Sequence, residues 1–153
     1  MAEWALSSIE DIRPEMLAEI HAASFTRAWS AADIVNLIST GASGLVLSEA
    51  RAPVGLLIWR AAADEAEILT IGVHPDHRRR GAGRLLLTSA LEALSGKAIS
   101  RVFLEVAEDN SAAIQLYQTA RFSIVGRRKG YYRRDPLTVD AQVLQLKLNT
   151  EDH

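Results

Sequence analysis

The 153-residue chain contains no cysteine. That absence excludes a disulfide framework, a thiolate metal site and a cysteine nucleophile. Charge of one sign is also missing: the net charge is −2. A surface so balanced is not built to bind nucleic acid as a whole. No apolar run reaches the ~18 residues that a bilayer-spanning helix needs. The first ten residues carry no basic stretch followed by an apolar one, so no secretory signal is expected. The four histidines, His21, His74, His77 and His153, lack metal-ligand spacing, and no metal is expected. There is no repeat, low-complexity segment or linker. What remains is ordinary globular composition, 48% hydrophobic and 24% charged, at a length that suits one domain over 1–153.

The stretch Ile71-Gly72-Val73-His74-Pro75-Asp76-His77-Arg78-Arg79-Arg80-Gly81-Ala82-Gly83-Arg84 organises the rest. Strand character precedes it and a long apolar-periodic run follows it. A strand that turns through Gly81 and Gly83 into a helix leaves backbone N–H groups unpaired at the positive end of the helix dipole. That is an anion site, and glycine lets a phosphate approach the backbone. The arginines add charge and paired donors. A dinucleotide motif is absent, because Leu86 stands where a third glycine belongs, and so is a phosphate-binding GxxxxGK[ST] loop. On these residues alone a phosphate cradle and a solvated charge run remain equally open.

Around this turn the pattern predicts a first strand over 4–7 and a helix entered through Ser8, Asp11 and Pro14. A second helix is capped by Ser30 and ended by Gly41 and Gly44. Strands over 45–50 and 54–61 form a hairpin, and a further strand covers 65–73. A helix from about 82 to 94 stops at Ser95-Gly96, with glycine in its usual C-terminal role. A strand over 99–106, a helix from Asn110 to about Thr119, and closing antiparallel strands over 122–127 and 139–148 complete the chain. A right-handed crossover makes strands 67–73 and 99–106 parallel neighbours. Their C-terminal ends then lie together, where open α/β sheets bind ligands. The expectation is a mixed α/β (α+β) sheet with helices on both faces.

The second constellation runs from Leu104 to Tyr117. Val102, Leu104 and Val106 point one way along their strand, and Phe103 and Glu105 the other. A carboxylate in an apolar strand is unusual, since burial disfavours its charge. It reads either as a structural Glu–Arg pair or as a functional group. Ala113, Leu116, Tyr117 and Ala120 share a helix face, so Tyr117 is either a core aromatic or a cleft phenol. Arg127–Lys129 and Arg133-Arg134 flank Tyr131-Tyr132, which reads as a charged edge hairpin or as a flap over a substrate. Trp29 reads as a rim aromatic or as a wall of the same groove.

The two segments IGVHPDHRRRGAGRLLL and LEVAEDNSAAIQLYQTARF resemble the GNAT superfamily of N-acetyltransferases. Arg78, Gly81 and Gly83 fill that family's pyrophosphate form, [Q/R]-x-x-G-x-[G/A]. The LEV-x(3)-N-x(3)-I-x-LY run is similar to the ribosomal-protein alanine N-acetyltransferase branch, the RimI type. The basic stretch with its tyrosine pair, and Phe25-Thr26-Arg27-Ala28-Trp29-Ser30, also look related to that branch. Three positions depart from it. Arg121 stands where a helix-ending glycine is usual, Arg27-Ala28 replace a proline-containing entry, and Val139-Asp140-Ala141 replaces an acidic-acidic-Ala triplet.

The resemblance implies one N-acetyltransferase domain, 1–153, whose two central parallel strands splay to form an acetyl-CoA cleft. It implies that backbone groups of Ile71, Gly72 and Val73 hold the pantetheine arm. Arg78, Arg79, Arg80, Gly81, Ala82, Gly83 and Arg84 wrap the pyrophosphate, and Asn110 bonds the cofactor. Glu105 becomes the general base and Tyr117 the general acid, with Trp29, Tyr131 and Tyr132 on the acceptor side. The activity implied is acetyl transfer in the cytoplasm from acetyl-CoA to a protein N-terminal α-amine, with a small-subunit ribosomal protein as first choice. A small amine or lysine side chain is the alternative acceptor. A non-catalytic acyl-CoA or nucleic-acid binding module is the alternative class.

Overall fold

The computed structural model describes residues 4–24, 29–78, 81–134 and 137–148, with 24, 131–134 and 137–138 as backbone only. Chain order gives β1 (Trp4–Ser8), α1 (Pro14–Ser24), α2 (Ala31–Ser39), β2 (Ala42–Glu49), β3 (Ala52–Ala62), β4 (Glu65–Val73), α3 (Ala82–Ser95), β5 (Arg101–Ala107), α4 (Ser111–Thr119), β6 (Ser123–Arg134) and β7 (Leu137–Lys147). The strands form one sheet in the order β1-β2-β3-β4-β5-β7-β6. Every neighbouring pair is antiparallel except β4 and β5, which are parallel.

Each element follows from local chemistry. Ser30 and Asp33 form a reciprocal cap at the start of α2: Asp33 N donates to Ser30 Oγ and Ser30 N to Asp33 Oδ2. Ile34, Leu37 and Ile38 then face the sheet. Asn110 Oδ1 caps α4 by accepting from Ala113 N at 3.2 Å. Ala50 and Arg51, both at positive φ, make the tight two-residue connection of the β2–β3 hairpin. Along β5, Val102, Leu104 and Val106 alternate inward as the period of two requires.

The sheet buries one core on each face. α3 and α4 cover Leu57, Trp59, Ile68, Val102, Leu104 and Leu144. α1 and α2 cover Val46, Leu56 and Ile58, with Ile9, Leu17 and Ile34 from the helical side. Helices therefore lie on both faces, as expected.

Three readings need correction. Gly44 does not end α2. Gly41, at φ +106, does that, and Gly44 lies inside β2. A Cβ on Gly44 would lie 2.3 Å from the carbonyl oxygen of Leu57, so close strand approach, not a turn, demands glycine there. Gly96 closes α3 in a right-handed conformation, and the left-handed residue that follows is Ala98 at φ 61. The closing hairpin is longer than expected. β6 runs to Arg134 because its polar half still ladders to β7 through two bulges.

Candidate acetyl-transfer site

β4 and β5 stay paired for only four residue pairs, from Glu65–Arg101 to Ile68–Leu104. Just beyond, the β3–β4 register steps from Trp59–Ile68 to Ile58–Thr70, which leaves Leu69 as an extra residue. A bulge bends its strand and sharpens its twist. β4 therefore leaves β5 at that point, and the two strands open into a V. The β5-facing edge of Ile71, Gly72 and Val73 is not part of a ladder with β5, whereas their other edge pairs with Leu57, Leu56 and Gly55.

The glycine turn closes the top of the V. After β4, Pro75–His77 form one 3-10 turn, capped by His74. Gly81 then sits at φ +84 as the N-cap of α3, with no side-chain cap. Among the described residues nothing lies within 4 Å of a Cβ placed there, and only glycine adopts the angle without strain. The first N–H groups of a 14-residue helix point into this space. Ala82 is buried and Arg84 exposed. A Cβ on Gly83 would make only ordinary contact with Leu116 Cδ2, at 3.5 Å. Arg78 is exposed, but its Nε donates to the Val73 carbonyl at 3.0 Å, so it braces the turn. Arg79 and Arg80 lie outside the described residues. Asn110 uses its oxygen as the α4 cap, which leaves its amide nitrogen to donate elsewhere.

Glu105 and Tyr117 stand on opposite faces of the sheet beside the V. Tyr117 is 5% exposed and packs edge-on against Phe122, ring centroids 5.8 Å apart, within the core under α3 and α4. Glu105 faces the other way. It lines an open cleft of about 370 Å³ with Arg60, Glu65, Glu67, Phe103 and Val143. Arg128 reaches across β7 from β6 to hold it, Nη1 to Oε1 at 2.6 Å. Arg128 is the register partner of Ala141, whose small side chain leaves the path open. Next to it, Arg127 pairs with Glu108 at 2.5 Å and with Asp140 at 3.0 Å. Asp140 also accepts from Gly130 N at 2.8 Å, which fixes the second bulge of β6.

Sequence reasoning missed three of these features. Glu67 shares the cleft with Glu105 and, among the described residues, has no ion pair. Alternation along β4 put it on that face, and that was the available signal. Arg60, its register partner on β3, donates instead to Thr40 Oγ1 at 3.1 Å. His21 is 3% exposed, and its Nδ1 accepts from Trp29 N at 3.0 Å. The two rings stack at 4.4 Å and 13°. Burial pushes the His21 pKa down to about 4, so the imidazole is neutral at physiological pH. Trp29 thus packs onto α1, and the described lining of the cleft does not include it. Tyr131 and Tyr132 belong to the β6 backbone, but their side chains, like residues 25–28, lie outside the described part. Among the described residues no group of three His, Asp or Glu could hold a metal, and no helix is long and apolar enough to cross a membrane.

A sheet whose two parallel strands part beside a glycine-capped helix defines a class. The chain belongs to the acetyltransferase (GNAT) family, which it matches over residues 11–122. Among characterised relatives it is similar to the ribosomal protein bS18-alanine N-acetyltransferase of Haemophilus influenzae, 33% identical over 127 residues that cover 83% of this chain and 86% of that one. The Escherichia coli enzyme of the same name is 34% identical over 60% of this chain, and the match spans 62% of the relative's own length. The crystal structure of an E. coli ribosomal-protein-S18-alanine N-acetyltransferase superposes with a TM-score of 0.91 at 25% identity, over 99% of each chain. Arabidopsis thaliana NAA60, crystallised with acetyl-CoA, shares the fold at 20% identity and a TM-score of 0.82, over 96% of this chain and 99% of that one.

Proposed function

We propose that this protein transfers the acetyl group of acetyl-CoA to the α-amine of a protein N-terminus, with a ribosomal protein of the small subunit as acceptor. It acts in the cytoplasm, as one domain over 1–153. The observation that carries this reading is the early end of the β4–β5 ladder at Ile68–Leu104, beside a glycine turn on one side and a carboxylate-lined cleft on the other. What supports the acceptor assignment is likeness to enzymes named ribosomal protein bS18-alanine N-acetyltransferase and N-alpha-acetyltransferase.

In this reading the diphosphate rests on the Gly81 turn and the first amides of α3, under Arg78, Arg79, Arg80 and Arg84. Ala82 and Gly83 keep that surface low. The pantetheine arm lies along Ile71, Gly72 and Val73 as a strand would, and the Asn110 amide donates to it. The bound thioester supplies an activated acetyl carbonyl. The acceptor enters from the opposite face, through the cleft with Phe103 at its floor. Tyr131 and Tyr132 are assigned to border that approach, whereas Trp29 stacks on His21 of α1. Glu105 takes the proton of the acceptor's ammonium group, directly or through one water. A protein α-amine has an ordinary pKa of ~7.7–8.0 against ~10.4 for lysine, so the α-amine loses its proton with less help. The amine nitrogen then bonds to the carbonyl carbon while the carbon–sulfur bond breaks. A backbone N–H near Val73 stabilises the negative charge on oxygen. The Tyr117 hydroxyl gives its proton to the departing thiolate, the surplus proton on the new amide nitrogen passes to solvent, and solvent reprotonates the phenolate. Arg128 holds Glu105 in place and keeps its second oxygen turned to the cleft.

Incubation with acetyl-CoA and paired peptides tests the assignment. Thiol release with a free-N-terminus peptide, and none with the same peptide N-blocked, is expected. Release with any small amine or lysine would replace the acceptor assignment. CoA binding without release would leave a binding module.

A further inference from the structure

The 3-10 turn Pro75–His77, which precedes the Gly81 diphosphate site of the proposed function, is tied to the β2–β3 hairpin. His74 N donates to the Val54 carbonyl at 2.7 Å, which extends the β3–β4 ladder by one bond. The 3-10 turn then closes on itself through His77 N to His74 O at 2.8 Å and Asp76 N to His74 Nδ1 at 3.2 Å. His77 ends that turn. Its Nδ1 lies 2.8 Å from Oε2 of Glu49, the last residue of β2. β2 is not a neighbour of β4, since β3 lies between them. The contact therefore spans the end of β3 and fastens the turn to the tip of the β2–β3 hairpin. At that tip Ala50 and Arg51 both adopt positive φ in a two-residue connection. The His77 and Glu49 side chains are only 26% and 20% exposed, so water competes weakly for the bond. Four residues after His77 comes Gly81, whose open backbone offers a chain few angular limits of its own.

We propose that Glu49 and His77 are positioning residues for the diphosphate: their bond sets the turn before CoA arrives, so that Gly81 and the α3 amides already face the ligand. This rests on the acetyl-CoA reading above. A segment ordered in advance does not lose that freedom on binding, which raises affinity without any new contact to the ligand. The effect belongs to the phosphate end alone, because the pantetheine arm follows β4, which β3 holds independently.

Calorimetric titration of the full-length protein with CoA, and with pantetheine, which lacks the diphosphate, tests it. His77→Ala and Glu49→Ala should each weaken CoA about five- to tenfold, and the double variant no further. Pantetheine affinity should not change. His77→Asn, whose amide nitrogen lies near the Nδ1 position and can still donate to Glu49, should recover most of the CoA affinity. Equal loss for both ligands, additive losses, or unchanged CoA affinity would overturn the proposal. A wild-type protein that binds no CoA would instead remove the acetyl-CoA reading beneath it.

Discussion

The two sides of the V are built by different means. On the side proposed for the cofactor, β4, the glycine turn and α3 present backbone groups: an edge of β4 that is not laddered to β5, a left-handed Gly81 and the first amides of a helix. On the acceptor side, the cleft is shaped by side chains brought from distant positions, with Arg128 on Glu105 and Arg127 on Glu108 and Asp140. A diphosphate is the same in every turnover, so fixed backbone suits it. An acceptor varies, and side chains on an edge hairpin can change without disturbing the core.

Substitutions on the two sides should therefore fail in different currencies. The largest effect is expected at Glu105→Gln: turnover should fall about 100- to 10,000-fold, while CoA affinity measured by titration stays as in the wild type. Tyr117→Phe comes next. A drop in turnover of about tenfold or more, with a melting temperature close to wild type, is expected of a proton donor. A lower melting temperature with turnover intact would make Tyr117 only the core aromatic that its packing on Phe122 also allows.

Smaller effects sharpen the contrast through stability. His21 is held neutral, its pKa lowered from 6.5 to about 4 by burial. Below pH 6.5 the unfolded chain binds a proton there that the folded chain refuses. This contribution is thus complete above 6.5, falls as pH drops toward about 4, and is flat below. Denaturant titrations should show a loss on the order of 3 kcal/mol across that window. His21→Phe should flatten the profile while keeping the stack on Trp29. The smallest effect is Arg121→Gly. Arg121 sits at φ 75, the angle a glycine would take, so the change should stabilise the protein by about 0.5–1 kcal/mol in the same titrations.

The same contrast explains what was legible in the sequence. Gly81, Ser30 and Asn110 act within a few residues of themselves, so spacing alone revealed them. The inward row of Val102, Leu104 and Val106 was equally local, and it put Glu105 on the correct face. Strain at Arg121 was foreseeable, because a helix ending there needs positive φ. The extra residue at Leu69 was not legible, since it exists only relative to the register of β3. Nor was the demand for glycine at 44, which comes from a carbonyl on another strand. Arg128 on Glu105 spans 23 residues, and His77 on Glu49 skips a whole strand. Hydrophobic period gives which face a residue occupies, but not which residue across the sheet it will meet.

The most direct measurement is a crystal structure of the protein with acetyl-CoA. The account predicts the diphosphate on the amides following Gly81, the pantetheine alongside Ile71, Gly72 and Val73, and the sulfur within hydrogen-bonding reach of the Tyr117 hydroxyl. A diphosphate bound anywhere else, or a sulfur remote from both Tyr117 and the Glu105 cleft, would contradict it.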